Sequence, residues 1–138
     1  MADILIASDA DWVLDELRAA LEGPGTTVRT VRAGDAVPGA IRRNAPDLVI
    51  LDLQIGNMGG MATCLDLRLE ESAGRLAHIP VLMLLDRQAD VFLARRGATQ
   101  GWLIQPIDAL RVRRAVRTIL EGGTYRDGEP RPAPAGAA

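Results

Sequence analysis

Four short apolar runs, at residues 4–7, 48–52, 81–85 and 101–104, and a β-branched run at 27–31 punctuate this chain, and between them apolar residues recur at helical spacing. Continuous apolar runs of this length are the pattern of strands buried on both faces of a parallel sheet. The run at 27–31 is rich in β-branched residues and reads as an edge strand. Helical spacing marks 11–22, where Val13, Leu14, Leu17 and Leu21 share a face before Gly23-Pro24-Gly25 stops the helix. A short helix is expected over 35–44, weakened by Pro38-Gly39 and closed by Ala45-Pro46. Met61, Leu65 and Leu69 mark a third helix by their i, i+4 spacing, and 89–95 a weaker fourth. The last helix, 108–121, is expected to bury Ala109, Val112, Val116 and Ile119 and to show Arg111, Arg113, Arg114 and Arg117. Five βα units in series imply an α/β doubly wound parallel sheet, with helices on both faces and right-handed crossovers.

Sheets of this kind place their ligands at the carboxyl ends of the strands. The run Leu48-Val49-Ile50-Leu51-Asp52 carries a carboxylate to that edge, which makes Asp52 the first candidate for chemistry.

Composition narrows the field. The chain has 138 residues, 48% of them apolar, enough for one core. Its 16 basic and 18 acidic residues nearly cancel, so electrostatics give no case for nucleic acid as the main partner. Every basic residue is an arginine; there is no lysine. A single cysteine, Cys64, excludes an internal disulfide and fits a reducing compartment. No signal-peptide pattern opens the chain and no run reaches the length of a membrane span, so a cytoplasmic protein without membrane insertion is expected. From Gly122 the composition turns to Gly, Pro and Ala. Residues 1–121 are therefore expected to form one domain, and 122–138 a disordered tail too short to hold an output module.

Four motifs carry a resemblance: Ile4-Leu5-Ile6-Ala7-Ser8-Asp9; Leu48-Val49-Ile50-Leu51-Asp52-Leu53 with Gly60 eight positions after the aspartate; Pro80-Val81-Leu82-Met83-Leu84; and Gly97-Ala98 leading to Gln105-Pro106. Together they resemble the CheY-like receiver domain of bacterial response regulators, over about residues 3 to 121. The resemblance implies a flavodoxin-like (βα)5 fold of strand order 2-1-3-4-5. It also implies a non-enzymatic signalling protein that works in two-component or phosphorelay pathways. In that family a histidine kinase phosphorylates the aspartate that Asp52 matches. Mg²⁺ is held there by that aspartate, by acids after the first strand, here Asp9, and by the backbone carbonyl at the position of Gln54. No organic cofactor is implied.

Three positions depart from the family pattern. Ser8 replaces one member of the acidic pair beside Asp9. Leu85 stands where a hydroxyl at the end of the fourth strand would hydrogen-bond the phosphoryl group. Gln105 stands where a lysine would pair with it, and a chain without lysine cannot recover one by shifting the alignment. An ion pair about 4 Å long is worth roughly 4 kcal/mol at an effective dielectric near 20. Weak Mg²⁺ affinity and impaired phosphate-dependent switching are therefore expected, with Asp52 retained as a nucleophile. Asp86 occupies a place where the family prefers a small residue. It either joins Asp9 and Asp52 in an acidic cluster that binds a cation or raises a carboxyl pKa, or points to solvent as a loop residue.

Trp102 matches the aromatic residue whose rotamer reports phosphorylation in many receivers; alternatively it caps the sheet edge, with Leu85 filling the hole into which it would swing. With Arg111 and Arg114 it falls on the surface of the fourth helix, fifth strand and fifth helix, the family's interaction face and a candidate homodimer surface. A solvated basic stripe is the simpler reading of those arginines. A cis peptide is expected at Gln105-Pro106. The loop at residues 56–60 is expected to be mobile, and it lacks the Gly-Lys-Ser/Thr ending of a P-loop. His78 and Cys64 read as structural, and Trp12 as a surface contact. Three other functions compete. A phosphorylation-competent regulator switched by a histidine kinase keeps the same fold. A flavodoxin-like cofactor protein is disfavoured, because the carboxylates of Ser8-Asp9-Ala10-Asp11 would repel a phosphate. A DNA-binding regulator is disfavoured because no helix-turn-helix pattern follows.

Overall fold

A computed structural model describes residues 1–128. Its strands are β1 (Ala2–Ala7), β2 (Thr26–Val31), β3 (Leu48–Asp52), β4 (Val81–Leu85), β5 (Gly101–Ile104) and β6 (Tyr125–Arg126). Its helices are α1 (Asp11–Leu21), α2 (Val37–Arg43), α3 (Gly60–Ser72), α4 (Val91–Arg96) and α5 (Ala109–Leu120), with a 3₁₀ turn leading into each of α2 and α4. The sheet runs β2-β1-β3-β4-β5-β6 and all its pairs are parallel. The first five strands stand in the expected order, 2-1-3-4-5.

Every residue of β3 and β4 is buried, which is why both read as unbroken apolar runs rather than alternating ones. Alternate strand residues serve two cores. Leu5, Val49, Leu51, Met83 and Leu85 pack with α2, α3 and α4 through Val37, Ile41, Cys64, Leu67 and Ala94. Ile4, Ile6, Ile50, Leu82 and Leu84 pack with α1 and α5 through Val13, Leu17, Val112, Val116 and Ile119.

Three expectations need correction. In α3 the expected stripe faces out: Leu65 is 42% and Leu69 66% exposed, while Thr63, Cys64 and Leu67 are buried. Periodicity identifies a helix but not the side it turns to the sheet. Here Gly60 decides that side, because a Cβ on it would stand 2.6 Å from Leu53 Cα and 2.7 Å from the Asp52 carbonyl oxygen. In α5 the buried set is Val112, Ala115, Val116 and Ile119, and Ala109 is exposed at the first turn.

The third correction concerns the tail. Residues 122–128 do not leave the domain: they turn at Gly122-Gly123 and return along β5 as β6. Composition predicts how much a segment can bury by itself. It cannot register backbone hydrogen bonds offered by a strand edge elsewhere in the fold. The remainder of the expected tail, 129–138, lies outside the described residues.

Candidate functional site

Parallel pairing of β1 with β3, and of β3 with β4, brings the ends of these strands together at one edge of the sheet. Ser8 and Asp9 follow β1, Asp52 closes β3, and Asp86 follows β4. The Asp52 side chain is almost fully enclosed, at 4% exposure. The Ser8 hydroxyl, itself buried, donates to Asp52 Oδ2 at 2.8 Å, and the Gln54 N–H donates to Asp52 Oδ1 at 3.0 Å. The same Ser8 oxygen accepts from the Ala10 N–H at 3.2 Å, so it bridges the β1 turn to the acceptor. Neither hydrogen-bond donor to Asp52 carries charge.

Burial pushes the Asp52 carboxyl above the ordinary value of 3.8. The Gln54 N–H and the Ser8 hydroxyl pull it back, and the charges of Asp86 and Asp9 push it up again. Asp86 is exposed; its carboxylate accepts from Gln105 Nε2 at 3.2 Å. Gln105 therefore turns toward Asp86 rather than Asp52, and its own N–H donates to the Leu85 carbonyl at 2.8 Å. The Gln105-Pro106 peptide is cis, as expected. Asp9 Oδ2 accepts from the Gly56 N–H at 3.1 Å.

That last contact begins a tether. The Gly34 N–H donates to the Gly56 carbonyl and the Asp35 N–H to the Asn57 carbonyl, each at 3.0 Å, and Thr63 Oγ1 donates to the Met58 carbonyl at 2.6 Å. The loop expected to be mobile is thus pinned from β1, from the turn before α2 and from α3. Asn57 and Met58 hold positive φ values of 53° and 70° inside it. Sequence reasoning missed Gly34 and Thr63, because the apolar spacing of α3 does not mark Thr63 as lying on its buried side.

Leu85 is fully buried and belongs to the same apolar cluster as Trp102. Trp102 is 1% exposed, so it is not a surface contact. Its Nε1–H donates to the Asp127 carbonyl at 2.9 Å, and the guanidinium groups of Arg95 and Arg126 lie 5.4 and 5.9 Å from its ring centroid. Arg111 is not part of a free stripe either: it ion-pairs with Asp127 and donates to the Ile104 and Pro106 carbonyls. Arg114 is exposed, as read. Arg113 reaches across to the Ala20 carbonyl at 2.8 Å and ties α5 to α1. Cys64 is buried with its thiol on the Gly97 carbonyl, His78 pairs with Glu71, and Trp12 is half exposed.

Among the described residues, no group of three or more His, Cys, Asp and Glu side chains is placed to hold a metal ion. The carboxylates of Asp9, after β1, and of Asp52, closing β3, are hard oxygen donors at this edge of the sheet. Donors of this kind suit a magnesium ion that keeps several of its waters.

A parallel sheet in this order, with an aspartate closing β3, is the architecture of a CheY-like receiver. The family model described as "Response regulator receiver domain" matches residues 4–117, and the chain belongs to that family. Among curated relatives, the transcriptional regulatory protein CseB of Streptomyces coelicolor is 27% identical over all of this chain and 58% of its own length. Protein PilH of Pseudomonas aeruginosa is 27% identical over 88% of this chain and 100% of its own length. The chain spans about half the length of the regulators with which CseB groups. Among solved structures, a putative response regulator from Chloroflexus aurantiacus superposes with a TM-score of 0.78 at 25% identity, covering 87% of this chain and 98% of that one. The chemotaxis response regulator CheY4 of Vibrio cholerae gives 0.75 at 19% identity, covering 85% and 97%, a likeness of fold alone. Among the described residues no helix is long and apolar enough to cross a membrane.

Proposed function

We propose that this receiver acts in two-component signalling as a stand-alone protein, by protein–protein contacts that do not depend on phosphate, with Asp52 as an inherited phosphoacceptor. The observation that carries the reading is the ring around Asp52. A hydroxyl and an amide hydrogen-bond it, β4 ends on the apolar Leu85, and the Gln105 amide is spent on Asp86. Reading a phosphoryl dianion takes a cation and a hydroxyl aimed at it. Ser8 supplies a hydroxyl from β1 rather than from β4, where the family couples the pocket to its output face.

Where Mg²⁺ is bound, Asp9, Asp52 and the Gln54 carbonyl are its holders, and it offsets charge on an incoming phosphoryl group. The residues themselves do the rest. Ser8 and the Gln54 N–H orient the Asp52 carboxylate, and the Asp86 carboxylate repels a dianion approaching from the β4 side. A histidine kinase or another signalling protein is the proposed partner and the cytoplasm the proposed place of action; nucleic acid and a membrane are not. The retained nucleophile keeps a second reading alive, a regulator switched by a histidine kinase.

Incubation with acetyl phosphate and Mg²⁺, followed by intact mass and by partner capture with wild type and Asp52→Asn, separates the two. Equal capture of the same partner by both proteins, with or without an adduct, supports phosphate-independent contacts. Capture that rises with the adduct and vanishes in Asp52→Asn overturns them.

A further inference from the structure

β6 adds a parallel strand to an edge that the five βα units leave open. Gly101 pairs with Tyr125 and Trp102 with Arg126. The Tyr125 N–H donates to the Gln100 carbonyl at 3.1 Å, and the Asp127 N–H to the Trp102 carbonyl at 3.2 Å. These bonds are sequence-blind, but three further features are not. The Asp127 carboxylate accepts from the Ile104 N–H at 2.9 Å and ion-pairs with Arg111, whose guanidinium is already fixed by the Ile104 and Pro106 carbonyls. The Trp102 indole N–H, buried with its ring, finds its acceptor in the Asp127 carbonyl. Gly101 leaves the space for the neighbouring strand: a Cβ there would collide with the Tyr125 carbonyl oxygen and stand 3.1 Å from the Tyr125 nitrogen.

We infer that the β5 edge is a strand-docking site, selective for an extended segment carrying a carboxylate, and that residues 124–128 are its resident occupant. The backbone ladder gives attachment, the Arg111 clamp and the Ile104 N–H select the acid, and Gly101 admits the chain. The occupant sits beside Trp102 and Arg111, on the face the family uses for contacts. A protein partner or a second copy that docks along this edge must displace the segment or supply an equivalent one. The inference concerns β5 alone and holds whether or not Asp52 is phosphorylated.

The test uses the full chain with Trp12→Phe, which leaves Trp102 as its sole tryptophan. In Asp127→Ala, amide hydrogen exchange at residues 104, 125 and 127 is expected to speed by roughly tenfold, with β3 and β4 unchanged. A blocked peptide of residues 122–128, added to Asp127→Ala, is expected to slow Ile104 exchange again and to shift Trp102 emission. The same peptide with asparagine for its aspartate is expected to do neither. In Gly101→Ala the edge is expected to lose the resident strand and to refuse the peptide. Unchanged exchange in Asp127→Ala, equal effects of the two peptides, or peptide uptake by Gly101→Ala would each overturn the inference.

Discussion

Asp52→Asn is expected to make the protein more stable at neutral pH, although it removes the residue around which the pocket is built. Asparagine has the shape of aspartate, keeps an acceptor for the Gln54 N–H, and offers the Ser8 hydroxyl an amide N–H in place of a carboxylate oxygen. What it removes is an ionised group at 4% exposure. Enclosing such a group costs several kcal/mol after relaxation. The two hydrogen bonds to it offset about 1.5–3 kcal/mol each. The charges of Asp86 and Asp9 add to the cost. A net gain of about 1–2 kcal/mol follows for the asparagine variant, or roughly 3–8 °C in Tm for a domain of this size. Its pH dependence identifies the cause. The folded carboxyl pKa lies above the ordinary 3.8, so ionising Asp52 costs the wild-type protein stability, relative to the variant, as pH rises from 3.8 through the folded value. The variant's advantage is therefore full above the folded value, fades as pH falls, and is gone once both states are protonated. Thermal unfolding of the two proteins across that range measures it. A variant less stable at neutral pH, or an advantage that persists below 3.8, would refute the reasoning.

Other substitutions probe the same pocket. Gln105→Lys returns a cation to the family's position, where a pair about 4 Å long is worth roughly 4 kcal/mol at most; the yield of acetyl phosphate adduct by intact mass is expected to rise by about tenfold, and no rise would show that the cation is not the missing part. Gly60→Ala places a methyl group against the backbone of Asp52 and Leu53 and is expected to cost about 2–3 kcal/mol in urea unfolding. Cys64, buried with its thiol on the Gly97 carbonyl and its pKa raised chiefly by burial, is expected to react with a thiol reagent only as fast as the protein opens. Labelling at native rates would show that α3 packs less closely than described.

The parallel sheet was legible because β3 and β4 are buried on both faces and must be apolar throughout, and because their neighbours announce themselves the same way. Asp52 was legible from one fact, an apolar run closing on a carboxylate at the end of a strand. The contacts of the pocket were not. Whether the Gln105 amide meets Asp52 or Asp86 depends on a few ångströms of side-chain placement, and no spacing rule encodes that. The face that α3 turns inward depends on the close approach of Gly60. Residues 122–128 were misread because their order comes from Asp127, which finds Ile104 and Arg111 only after the chain has folded. Trp102 was read either as the family's contact aromatic or as a cap on the sheet edge, and its burial in the cluster with Met83, Leu85 and Ala94 fits the cap.

One comparison reaches the central claim, that the pocket retains its acceptor but not the groups that transmit a phosphate. In the Trp12→Phe protein, Trp102 emission and the amide signals of β5 are recorded before and after acetyl phosphate with Mg²⁺, beside the same protein carrying Asp52→Asn. The account predicts that β5 and Trp102 respond no differently in the two proteins, even where mass spectrometry finds an adduct on Asp52. A change in Trp102 emission that accompanies the adduct and is absent from Asp52→Asn would contradict it.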